Sequence, residues 1–166
     1  DLRCAAALPE LAQKNVFLTV AGDDRSGEEY RFHPLFQGFL QRRLRSEIGQ
    51  AAVAEERARI ARYLLDRGKW DAAVGYLIDA ESFDEAARVI AEKGGEWIAS
   101  GAFSSLIRAA EKIPAADLDR HPYAVLHLAE VARLQGEGDR SADLLHRAAK
   151  LLRSEGDTAG EAEAMH

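Results

Sequence analysis

From Pro34 to the C-terminus, apolar residues return every three or four positions, and glycine punctuates them at 68, 94, 101, 136 and 156. This spacing gathers the apolar side chains into one stripe per helix, and such a stripe holds its helix in water only when another element covers it. A chain of this kind therefore folds by packing helix on helix. Phe36, Phe39, Leu40, Leu44 and Ile48 form one stripe, and Val53, Ile60, Ala61 and Leu64 form the next. The five glycines read as helix stops, because glycine takes the left-handed conformation that ends a helix without steric cost. Ser82 with Glu85 three residues on makes a capping box, Asp139 and Asp157 suit caps, and Pro34 and Pro122 suit first helical positions.

A weak internal repeat points to stacking. Trp70, Asp71, Ala73 and Leu77 match Phe83, Asp84, Ala86 and Ile90 at a constant offset of 13, so two successive helices present the same face. Tyr123 to Gln135 and Asp139 to Arg153 form a further pair, with Ala142, Leu145, Ala149 and Leu152 expected on the inner side of the second helix. Small alanines at such places let helices approach closely, as in tetratricopeptide-like (TPR-like) repeats.

The first 33 residues follow another pattern. Val16 to Val20 is a β-rich run, the stretch from Ala21 to Glu29 is rich in Gly, Asp and Ser, and Tyr30-Arg31-Phe32 alternates again. These features predict a β-hairpin, preceded by a short helix around Leu8, Pro9 and Leu11. The expected fold class is mainly α: an N-terminal β-hairpin followed by an α-helical TPR-like superhelix of stacked helical hairpins. The expected domains are residues 1–48, ending in the helix after the hairpin, and residues 49–166, the helical repeats.

Charge and motifs narrow the function. Twenty-two Lys and Arg against 28 Asp and Glu leave a net charge of −6, which argues against a surface built to neutralise phosphates. No direct nucleic-acid partner is expected, and no apolar run is long enough to span a membrane. The single cysteine, Cys4, allows no internal disulfide, so a reducing, cytoplasmic setting is the expectation. Asp1 to Arg3 resemble neither a signal-peptide start nor an initiator, so the chain reads as a piece of a larger protein. The sequence has no G-x-x-x-x-G-K-[ST] phosphate loop and no G-x-S-x-G turn. His121, His127 and His146, with Glu130, lack metal-ligand spacing, so neither enzyme activity nor a metal is expected.

Tyr30-Arg31-Phe32-His33-Pro34-Leu35-Phe36-Gln37-Gly38-Phe39-Leu40 resembles the end of the winged-helix domain in MalT-like regulators, and Leu11 to Val20 resembles the helix leading into its wing strand. These are ATP-dependent transcriptional activators of the LuxR class, within the STAND ATPases. The resemblance covers Leu8 to about Arg45. It implies an upstream nucleotide-binding domain using ATP and ADP, a helical superhelix responding to a small-molecule inducer or regulatory protein, and a downstream LuxR-type DNA-binding domain. The chain itself would hold no cofactor.

Two residues stand out as candidate sites. Arg31-Phe32-His33-Pro34-Leu35 is similar to a STAND motif whose histidine touches the β-phosphate of ADP in the resting state, although proline replaces the motif's aspartate. His33 has two readings, a phosphate contact in the parent protein or a helix cap before Pro34. Trp97 lies in a short glycine-bounded segment where its ring could face a groove and bind a ligand. The leading functional expectation is a non-catalytic sensing segment of a MalT-like regulator. The alternative is an autonomous TPR-like adaptor holding a peptide or protein partner.

Overall fold

In the computed structural model, residues 11, 13–14, 17–21 and 29–165 are described. The tip between the two β runs and Cys4 lie outside them, as does most of the expected first helix, although Leu11 and Gln13 are helical. The described residues are mainly α, with helices packed in contacting pairs. The chain divides into two units, Asp1–Val53 and Ala54–His166.

In the first unit, strands β1 (Leu18–Ala21) and β2 (Glu29–Phe32) pair antiparallel, with Leu18 opposite Phe32 and Ala21 opposite Glu29. The Leu18 side chain is buried. Beyond the ladder, the His33 N–H donates to the Phe17 carbonyl at 2.7 Å, and the Phe17 ring stacks on Phe36 with centroids 5.2 Å apart. Helix α1 (Pro34–Leu65) starts here and is broken at Gly49, whose φ of 81° and ψ of 161° are not helical. A side chain at that φ would be strained, which is why the break falls on a glycine. Leu35, Phe39, Leu44 and Ile48 remain exposed along the first part of α1.

Among its described residues the second unit holds the remainder of α1 and seven further helices: α2 (Trp70–Asp79), α3 (Phe83–Ala99), α4 (Phe103–Ala110), α5 (Ala115–Asp119), α6 (Pro122–Leu134), α7 (Gly138–Glu155) and α8 (Thr158–Ala164). Helix α2 packs on α3, α3 on α6, and α6 on α7. Ala73 and Leu77 of α2 and Ala86 and Ile90 of α3, the equivalent positions of the 13-residue repeat, are fully buried in one core.

Glycines 68, 101, 136 and 156 have positive φ at helix ends, as expected, but Gly94 does not stop a helix. It lies inside the continuous helix α3, so the glycine-bounded segment expected around Trp97 does not exist. The turn between α2 and α3 has no glycine and puts Glu81 in the left-handed region, at φ 58°. Its neighbours make the paired hydrogen bonds of a Schellman ending, Ser82 N–H to Leu77 O at 2.9 Å and Glu81 N–H to Ile78 O at 3.0 Å.

The caps are partly as expected. Asp157 caps α8 by accepting from the Gly160 N–H at 2.9 Å. Ser82 occupies the cap position of α3 without a side-chain bond, and Asp139 falls in the first turn of α7 rather than at its cap. On the expected inner face of α7, Ala149 and Leu152 are buried and Leu145 is half-buried, but Ala142 is exposed and Ser141 is buried in its stead. Burial of that hydroxyl is offset because Ser141 Oγ donates to Ala129 O at 2.9 Å.

Candidate functional site

His33 sits where β2 gives way to α1. Its carbonyl accepts the first helical bond from the Gln37 N–H at 2.9 Å, while its Nδ1 accepts from the Leu35 N–H at 3.4 Å. This is the pattern of a helix-cap residue, made here with an imidazole. Pro34 follows at the first helical position, where its missing N–H leaves nothing unpaired. With Nδ1 accepting, the proton of the neutral ring resides on Nε2, so the exposed side chain retains a donor at the positive end of a long helix. Capping thus occupies Nδ1 and leaves Nε2 to the side chain's other contacts.

Trp97 is placed differently from the expectation. It belongs to the core and is only 3% exposed. It nevertheless lines a groove of about 490 Å³ walled by α2 and α4, together with Gly75, Ile78 and Ala109. Arg108 and Lys112 line the α4 side, and Asp71 the α2 side.

A third feature involves His127, on α6, which sequence spacing discounts as a metal ligand. Its Nε2 lies 3.2 Å from the Ala91 carbonyl of α3, an acceptor only, so the ring donates there. Burial lowers its pKa from the ordinary histidine value, against smaller upward contributions from the Ala91 contact and from Glu163 and Glu130. Across the same helix pair, Gly94 provides the room the ring occupies. A glycine in the middle of an apolar helical pattern is the sequence signal for such a close approach.

Comparison with known families bears on the first unit. Residues 2–52 match the MalT winged helix domain. The strand pair, His33 and the first part of α1 fall within this stretch, as does the resemblance drawn from Leu8 to Arg45. The chain therefore contains a MalT-type winged helix domain. No curated protein matches the chain. No helix among the described residues is long and apolar enough to cross a membrane.

Proposed function

We propose that this chain is a non-catalytic regulatory segment of a MalT-like, LuxR-class STAND regulator. The winged helix domain would couple to the ADP or ATP state of an upstream nucleotide-binding domain, and the helices after it would form a TPR-like superhelix that binds an inducer or a regulatory protein. A cytoplasmic setting and a downstream DNA-binding domain belong to the same reading. The observation that carries it is the match of residues 2–52 to the MalT winged helix domain, followed directly by paired helices.

His33 would hold the resting state. Its Nε2–H is suited to a phosphate oxygen, and the N-terminus of α1 favours negative charge beside it. Inducer binding to the helical unit would favour an open state by differential affinity, with no chemistry in this chain.

Translation of the reading frame on both sides tests this assignment. A phosphate loop upstream and a helix-turn-helix downstream are expected. A frame that opens and closes directly around these residues would contradict it and leave the autonomous adaptor.

A further inference from the structure

The groove over Trp97 contains a glycine that neither the backbone nor the packing of the chain requires. Gly75 lies in the middle of α2, does not have a positive φ, and a Cβ built on it meets nothing within 4 Å. Glycine inside a helix costs about 0.5–1 kcal/mol relative to alanine, and nothing within the fold offsets that cost. The open space above Gly75 is the groove itself, so the glycine keeps clear a volume that a side chain would enter.

The charges at the same groove are also unassigned. In this unit Arg88, Arg120, Arg133 and Arg147 each meet a carboxylate. Among the described residues Arg108 and Lys112, four residues apart, meet none, as also holds for Arg62 and Arg67, which donate to backbone carbonyls; Arg108 reaches only Ser105 Oγ, at 3.5 Å. Asp71 and Glu111 line the groove as well, and they too are without ion pairs among the described residues. Two exposed cations and two exposed anions rim an apolar floor, and such a rim matches a ligand that carries both signs and an apolar body. A simple acid or a simple amine would engage only one of the two pairs.

We infer that the groove between α2 and α4 binds a free α-amino acid with an apolar side chain. The carboxylate would meet Arg108 and Lys112, the ammonium Asp71 and Glu111, and the side chain would lie against Trp97 and Ile78 over Gly75. At about 490 Å³ the groove falls within the ordinary range of small-molecule sites, roughly 300–1,000 Å³. This inference rests on reading the helical unit as the sensing part of a regulator and gives that unit a ligand class.

The test is calorimetric titration of the whole chain with L-phenylalanine, 3-phenylpropionate and 2-phenylethylamine. Saturable binding of L-phenylalanine is expected, with each single-charge analogue at least tenfold weaker. Binding should be lost in Gly75→Leu and in the Arg108→Ser/Lys112→Ser double variant. Gly75→Leu should keep or raise the melting temperature, since leucine favours the helix and its Cβ meets open space, so loss of binding there is not loss of folding. Absence of saturable binding, equal binding of the analogues, or unchanged binding in the variants would overturn the inference. The titration needs no nucleotide-binding domain: binding without a regulator in the flanking frame would sink only the regulatory reading, and the reverse result only the ligand site.

Discussion

A Cβ added to Gly94 would lie 2.3 Å from Cδ2 and 2.7 Å from Cγ of His127, so α3 and α6 approach each other at a point where only a hydrogen fits. The atoms in the way form the rigid base of the imidazole and not the end of a flexible side chain. Helix propensity favours Gly94→Ala, but overpacking opposes it and is the larger effect. We expect Gly94→Ala to destabilise the chain by about 1–3 kcal/mol in urea unfolding. Combining it with His127→Ala should cost less than the sum of the single changes, because the second substitution removes the ring that the first one strikes. Strict additivity would mean that the two residues do not share this contact.

The same histidine makes stability depend on pH. Burial holds the folded-state pKa of His127 below its ordinary value, so between that lowered value and about pH 6.5 the unfolded chain binds a proton that the folded chain does not. Stability should therefore fall as pH drops below about 6.5 and level off once the folded pKa is passed. Carboxylates act at lower pH: Glu130, held down by the Arg133 hydrogen bond, and Asp157, held down by the Gly160 N–H and then by Tyr123, contribute stability above the ordinary carboxylate range that is lost in stronger acid. Melting temperatures between pH 5 and 8 for the parent chain and for His127→Gln check this. The share of the slope due to His127 should vanish in the variant, and identical slopes would contradict the assignment.

Leu77 and Ile90 are both completely buried in the α2–α3 core. Truncating either to alanine removes three side-chain carbons from a packed interior and should cost about 2–5 kcal/mol. Denaturant midpoints report this directly, and a change within about 0.5 kcal/mol would place the side chain outside the core.

Glu81 occupies the left-handed region that ends α2, a conformation that costs a side-chain-bearing residue about 1–2 kcal/mol. Glycine removes that strain but loses more backbone freedom on folding. Glu81→Gly should therefore be net stabilising by about 0.5–1 kcal/mol, read as a higher melting temperature. A drop in stability would show that the Glu81 side chain contributes more than its backbone strain takes away.

The seam between Leu77 and Ile90 was legible in the sequence because helical periodicity and the 13-residue offset are local properties of the chain. Gly94 was not, since a glycine in an apolar pattern marks either a helix end or a close approach, and the choice is made by His127, 33 residues away. Ser141 displaced Ala142 from the buried face for a similar reason: its hydroxyl finds the Ala129 carbonyl on another helix, which no apolar count registers. At His33 the cap was legible because Pro34 marks the helix start, whereas the division of labour between Nδ1 and Nε2 needed coordinates. Trp97 was singled out for a segment that is not there, yet the residue still lines a groove, because α3 packs against both α2 and α4.

The most direct measurement of the regulatory account is ADP release from the full-length protein carrying His33→Ala or His33→Asn, together with basal transcription. Asparagine caps a helix well, so His33→Asn should preserve thermal stability while removing the Nε2–H. A charge-assisted contact of this kind contributes about 1.5–3 kcal/mol. If it forms only in the resting state, its loss should speed ADP release and raise the open fraction roughly tenfold or more, with transcription in the absence of inducer. Wild-type ADP retention and wild-type basal transcription in both variants would contradict the role of His33 as the residue that couples this winged helix domain to the nucleotide.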